Sequence, residues 1–149
     1  MKVLIDADAC PVLEIAVREC EQRSISLLLF CDTAHEIHFS SATTVTVSQG
    51  ADSADFALVN RAEKGDLVVT QDYGLAAMCL SKGSFVLNQD GREYLDGNID
   101  LLLNVRWEHK RQRMAGKHLR GPKKRTAAQD QRFSEAFCKL LDKLIQENH

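Results

Sequence analysis

Short apolar runs alternate with helix-spaced apolar stripes along most of the chain. Lys2-Val3-Leu4-Ile5, ended by Asp6, reads as a buried first strand. Pro11 sits where a first helical turn tolerates proline, and Val12, Ile15, Ala16 and Glu19 share one face of a helix expected to end near Arg23. Ser26–Cys31 and the β-branched Thr43–Ser48 read as the second and third strands. The polar connector between them, Asp32–Ala42, has no clear period. Ala54, Leu58 and Ala62 set a helix over Ala51–Ala62, and Gly65-Asp66 turns the chain into a fourth strand, Leu67–Thr70. A helix over Gly74–Ser81 and a fifth strand over Ser84–Asn88 follow. Asn98 can cap a helix carrying Ile99, Leu102, Leu103 and Trp107 on one face. Thr126-x-x-Gln129 is a capping box, opening a last helix with Phe133, Ala136, Phe137, Leu140, Leu141 and Leu144 along its apolar stripe. Strands alternating with helices predict an α/β protein with a mostly parallel sheet. The 149 residues fit a single domain, with an α/β core over 1–97 and helices over 98–149.

Composition changes this picture little. Hydrophobic residues at 44% and charged residues at 27% exclude wholesale disorder. The five cysteines are an odd number without a CxxC pair, which fits a reducing cytosol and neither a disulfide framework nor a structural zinc site. No apolar run approaches the ~18 residues of a membrane span, and Met1–Asp8 lacks the features of a signal peptide. The expectation is a cytoplasmic protein without a membrane partner.

Charge changes it more. The net charge is −2, yet residues 106–125 carry nine of the 19 Lys and Arg residues against Glu108 alone, a local +8 on a remainder of −10. Such a stretch is the footprint expected for a phosphate-rich partner, with Arg113, Lys117, Arg120, Lys123 and Lys124 as candidate contacts to nucleic-acid phosphates. The alternative is a solvated helix face and loop.

Candidate chemistry lies at the strand ends, where ligands of open α/β sheets bind. The first strand runs into Asp6-Ala7-Asp8 and the fourth into Thr70-Gln71-Asp72, while Asp52 and Asp55 stand three apart at a helix opening. Carboxylates converging on one rim repel each other, by on the order of 3 kcal/mol per pair at ~5 Å and an effective dielectric of ~20. A divalent cation relieves that repulsion, and hard oxygen ligands select Mg²⁺ or Mn²⁺. Each acid also has a plainer role: Asp6 and Asp8 as helix-start residues, Asp52 and Asp55 as partners of a helix dipole, and Asp72 as a turn residue. Cys10 close to a helix start has the placement of a nucleophile, although a packed small side chain is the favoured reading. His35-x-x-His38 is a weak metal signal.

These segments together resemble a known family. VLIDADACPV (Val3–Val12), Gly50–Asp55, GDLVVTQD (Gly65–Asp72) followed by Leu75-Ala76-Ala77, Lys82-Gly83, Leu87-Asn88, Gly121-Pro122, Asp130 and Arg132-Phe133 occur in the order seen in the bacterial YaiI/YqxD family, a group related to PIN-like domains. The resemblance implies a PIN-like fold, a three-layer α/β/α sandwich. It also implies a metal-dependent nuclease acting on RNA more than DNA, with Mg²⁺ or Mn²⁺ as cofactor. By position Asp6 is similar to the first-strand acid of PIN nucleases and Asp72 to the acid after the fourth strand, while Asp8, Asp52 and Asp55 match acids of the family's own motifs. On that reading Asp6, Asp52 and Asp72 would bind metal, and Asp6, Asp8 and Asp55 would serve catalysis. Gly74 and Gln89 stand where many members carry proline, which implies a change in local rigidity only, and Arg120 stands where a second glycine before Gly121-Pro122 is common. Two other readings compete. One is a nucleic-acid-binding or regulatory protein without turnover. The other is a phosphatase resembling the haloacid dehalogenases, suggested by Asp6-Ala7-Asp8 and Thr70, although Cys10 replaces the expected hydroxyl residue.

Overall fold

The computed structural model describes residues 1–8, 10–32, 39–47, 53–95 and 124–147, the side chains of 53–55 excepted. Its elements, in chain order, are β1 (Val3–Asp6), α1 (Leu13–Gln22), β2 (Leu27–Asp32), β3 (Thr43–Val47), α2 (Ser53–Arg61), β4 (Leu67–Val69), α3 (Tyr73–Ser81), β5 (Phe85–Leu87), β6 (Glu93–Tyr94) and α4 (Ala127–Glu147). The six strands form one sheet in the order β3-β2-β1-β4-β5-β6, parallel except for β6. The α/β architecture with a mostly parallel sheet is therefore as the alternation of strands and helices predicts. The helix expected from Asn98 lies outside the described residues.

The central strand shows why the sheet is sandwiched. Successive side chains of a strand point to opposite faces. Val3 and Ile5 join Leu27, Leu29, Leu67 and Val69 against α1 and α4. Leu4 joins Leu28, Phe30, Val68 and Val86 against α2 and α3. Both faces are covered, and this accounts for the unbroken apolar runs of β1 and β2. On the first face the fully buried Phe133 and Phe137 of α4 stack with ring centroids 5.1 Å apart. Arg23 fastens the two helices there, donating to Glu19 at 2.8 Å and to Asp142 at 2.8 Å.

The start of α4 follows the capping box: Thr126 N–H donates to Gln129 Oε1 at 2.7 Å and Gln129 N–H to Thr126 Oγ1 at 3.4 Å. At the amino ends of the strands, buried Asp66 accepts from the Lys2 backbone N–H (3.1 Å), the Lys2 ammonium (2.6 Å) and the Glu63 N–H (2.9 Å). It is a clamp between β1 and β4, far from the carboxyl rim.

The sequence pattern does not predict β6. It is two residues long, too short to carry a period, and it pairs antiparallel with β5 through a turn over Asn88–Gly91. The signal that announces it is Asp90-Gly91, a common hairpin pair, with Gly91 at φ +85°.

Candidate active site

Strand order reverses around β1, whose neighbours are β2 on one side and β4 on the other. This is the point where α/β sheets open a crevice at their carboxyl ends. The register places Ile5 beside Val69, so the next residues, Asp6 and Thr70, are neighbours on the same face. Thr70 is buried and its hydroxyl has both functions engaged: it donates to Asp6 Oδ2 at 3.1 Å and accepts from the Asp72 N–H at 3.0 Å. Asp72 in turn caps α3, its Oδ1 accepting from the N–H groups of Gly74 (2.9 Å) and Leu75 (3.2 Å). Asp8 Oδ2 accepts from the Asp32 N–H at 3.3 Å, which fixes the segment after β1 to the end of β2.

Asp6, Asp8, Cys10, Val69, Thr70, Gln71 and Gln89 line a cleft of about 30 Å³, room for a water or a single ion. The Gln71 side-chain amide donates to Gln89 Oε1 and so links the end of β4 to the turn after β5. Burial pushes the Asp6 carboxyl from 3.8 up to about 6; the Thr70 hydroxyl opposes this, and the Asp8 and Asp72 charges add to it. The shift at Asp6 is thus chiefly one of desolvation, with two acidic neighbours adding to it. The Cys10 thiol also moves up, chiefly through burial, the opposite of what a nucleophilic thiolate needs. The helix start also lies further on, since α1 begins at Leu13 and its cap residue is Val12. For the same reason Asp6 and Asp8 do not cap α1, and that plainer reading of them fails.

Asp8 and Asp72 are therefore both brought into electrostatic reach of Asp6, with Asp6 and Asp8 on the cleft and Asp72 behind Thr70. Among the described residues no three His, Cys, Asp or Glu side chains stand close enough to hold one ion. Asp55 belongs to the first turn of α2, but its side chain lies outside the described residues, as do Asp52, His35 and His38. Arg113, Lys117, Arg120 and Lys123 lie outside them too, while Lys124 is exposed. The donor chemistry of the cleft suits a hard cation: two carboxylates and side-chain amide oxygens, in a space of ionic size. Mg²⁺ commonly uses one or two carboxylates, keeps several waters, and completes its coordination with substrate phosphate oxygens.

Thr70, Gln71 and Gln89 take a larger part in this site than the sequence suggests, and so does Arg125. Its guanidinium donates to Asp130 at 2.6 Å, to Asp90 at 2.9 Å and to the Gln89 carbonyl at 2.6 Å. Arg125 thus docks the end of the basic stretch against a residue that lines the cleft. The Gly74 difference reaches beyond rigidity, since its N–H is one of the two donors to Asp72 and proline has none.

Asp72 has two separable roles, as cap and as charge. Asp72→Asn keeps a good capping oxygen, so stability should stay close to wild type while the Asp6 carboxyl pKa falls, because one of the charges raising it is gone. Asp72→Ala should lose about 1 kcal/mol through the uncapped α3. Urea unfolding with carboxyl-carbon NMR reads both effects. Equal stability losses in the two variants would contradict the capping role.

No helix among the described residues is long and apolar enough to cross a membrane. The family model described as "Uncharacterized BCR, YaiI/YqxD family" matches residues 4–143. A UPF0178 protein of Exiguobacterium sibiricum is 47% identical over 141 residues, covering 95% of this chain and 96% of the relative. One from Clostridium acetobutylicum is 44% identical over 143 residues, covering 95% and 97%, and one from Oceanobacillus iheyensis is 40% identical over 146 residues, covering 96% and 100%. No solved structure matches. The DADACPV segment that builds the cleft lies inside the matched region, and the match runs through both sheet faces and α4: the chain belongs to the YaiI/YqxD family.

Proposed function

We propose that this protein is a metal-dependent phosphodiesterase acting on RNA in preference to DNA, with Mg²⁺ or Mn²⁺ as cofactor and the cleft at Asp6 as its active site. The observation that carries this reading is the Asp6 carboxyl, half-buried at the topological switch point and pushed up to about 6 with Asp8 and Asp72 adding to the effect. Repelling carboxylates around an ion-sized space are what a divalent cation relieves. A cation held there supplies charge stabilisation to a transferring phosphoryl group and lowers the pKa of a bound water. Asp6 and Asp8 hold it from the cleft walls. Asp72 Oδ1 is occupied by the helix cap, so Asp72 contributes chiefly its charge, along with the backbone N–H that orients the Thr70 hydroxyl onto Asp6 Oδ2. Asp55, in the first turn of α2, and Asp52, three residues before it in sequence, complete the acidic set in this proposal. Lys124, with Arg113, Lys117, Arg120 and Lys123, supplies cations for the RNA backbone.

One observation favours a second reading, a nucleic-acid-binding protein without turnover: no three acids among the described residues cluster tightly enough for one ion. Calorimetric titration of Mn²⁺ together with incubation of single-stranded RNA in Mn²⁺ separates the two. The phosphodiesterase predicts saturable Mn²⁺ binding and RNA cleavage, both lost in the Asp6→Asn, Asp72→Asn double variant. RNA retained uncut by the Mn²⁺-treated wild type overturns it in favour of the binding protein.

A further inference from the structure

A second and much larger cavity, about 940 Å³, lies on the other side of the turn that bounds the acidic cleft. Gln89 of that turn lines the cleft, while Asn88, Asp90 and Gly91 line the groove. The chain also runs from one to the other as it passes from β4 into α3, because Tyr73, which lines the groove, stands two residues after Gln71, which lines the cleft. Among the described residues three cationic side chains line the groove: Arg92 immediately before β6, and Arg132 and Lys139 from α4. All three are exposed, and among the described residues none forms an ion pair. Of the two acids there, Asp90 is matched by Arg125 at 2.9 Å, leaving Glu135 against three cations. Tyr73 is half-buried, its ring held edge-on to buried Tyr94 at 5.8 Å between centroids.

Cations that outnumber the acids among the described lining of a groove carry a net attraction for polyanions, and a fixed ring beside them offers a stacking surface for a base. The cleft fits an ion and the groove fits a chain. We propose that this groove is the track for a single strand of nucleic acid, with Arg92, Arg132 and Lys139 on its phosphates and Tyr73 against a base. The strand would thread past the 88–91 turn, so that one phosphodiester lies at the acidic cleft. The inference rests on the phosphodiesterase reading for its direction, but it concerns residues outside both the acidic cleft and the 106–125 stretch.

Binding measured in EDTA tests the track without metal or turnover. The probe is a fluorescein-labelled oligouridylate of about 12 nucleotides followed by anisotropy at several salt concentrations. The variants are Arg92→Gln, Arg132→Gln, Lys139→Gln combined, and a control of equal charge change on other exposed surfaces, Arg18→Gln, Lys64→Gln, Lys143→Gln combined. Each phosphate contact in a single strand adds about 0.7 to the log–log salt slope, so the groove variant should lose about 2 from it and bind about a hundredfold more weakly at 0.1 M salt. The control should bind within a few-fold of wild type. Equal binding by the groove variant, or equal weakening in both, overturns the track while leaving the phosphodiesterase reading in place. Failure of the wild type to bind the oligonucleotide at all in EDTA likewise overturns the track, and cleavage in Mn²⁺ then decides the phosphodiesterase reading by itself.

Discussion

Asp6→Asn should make the metal-free protein more stable while removing its response to metal. The Asp6 carboxyl titrates near 6 in the folded chain and at 3.8 without its surroundings. Between those values the folded chain holds a proton that the unfolded chain has released, so stability falls as pH rises from about 4 to about 6. Above that window the ionised form costs roughly 3 kcal/mol, the ordinary exchange rate for a shift of this size. Asparagine carries no charge, and its amide oxygen can still accept from the Thr70 hydroxyl. The expected result at pH 8 is a thermal midpoint higher by roughly 6–12 °C, with the gain shrinking as the pH is lowered toward 4. Wild type should gain stability in Mn²⁺ and the variant should not, since only a ligand that binds the folded state raises the midpoint. Scanning calorimetry at pH 8 and pH 5, with and without Mn²⁺, reads all of this. A midpoint lowered at both pH values would show that the Asp6 carboxylate stabilises the fold, and the argument for an unrelieved charge at the cleft would collapse.

A residue whose neutralisation stabilises the fold is kept for something other than stability. The same logic ranks the acids of this chain. Asp66 is more deeply buried than the half-buried Asp6 but is surrounded by three donors, including the Lys2 ammonium, and so has the surroundings of a structural carboxylate. Asp6 has one hydroxyl donor and two acidic neighbours. The difference follows from which end of the strand each occupies.

That difference was legible in the sequence because alternation of strand and helix already fixes which end of each strand is which. Apolar runs and capping residues are local signals, so β1–β5, the described helices and the Thr126–Gln129 box could be read from neighbours in the chain. The carboxyl-end placement of Asp6, Asp8 and Asp72 came with them. The bond between Asp6 and Thr70 was not legible, because it depends on the β1–β4 register between residues 64 apart. Arg125 was hidden for a related reason. In sequence it is the last member of a basic run, and only the fold shows its guanidinium turned onto Asp90, Asp130 and the Gln89 carbonyl. A charge run announces a partner but cannot say which of its members have already found one inside the chain. The groove cations were missed in turn because Arg92, Arg132 and Lys139 are isolated in sequence and are collected only when α4 docks beside β6.

That docking can be tested at one atom. Gly91 has φ +85°, and a Cβ there would come within 2.6 Å of the Arg132 carbonyl oxygen, 3.0 Å of its carbon and 3.1 Å of the Ala136 Cβ. The obstacle is the backbone of α4, which cannot swing away as a side-chain end can. Gly65 provides the internal control: its φ is +88°, but nothing lies within 4 Å of an added Cβ. Gly65→Ala should therefore lose only the left-handed backbone cost, about 1–2 kcal/mol. Gly91→Ala carries that cost and the overlap with α4, for a loss of about 3–5 kcal/mol and a midpoint lower by roughly 6–20 °C. If the chain relieves the overlap by moving α4, the Arg125 contacts to Gln89 and Asp90 lengthen and both the cleft and the groove lose a wall. Oligonucleotide affinity in EDTA should then fall in Gly91→Ala and hold in Gly65→Ala, although neither substitution removes a charge. Equal stability losses in the two variants would mean that α4 does not bear on the 88–91 turn, and the shared wall between cleft and groove would have no support.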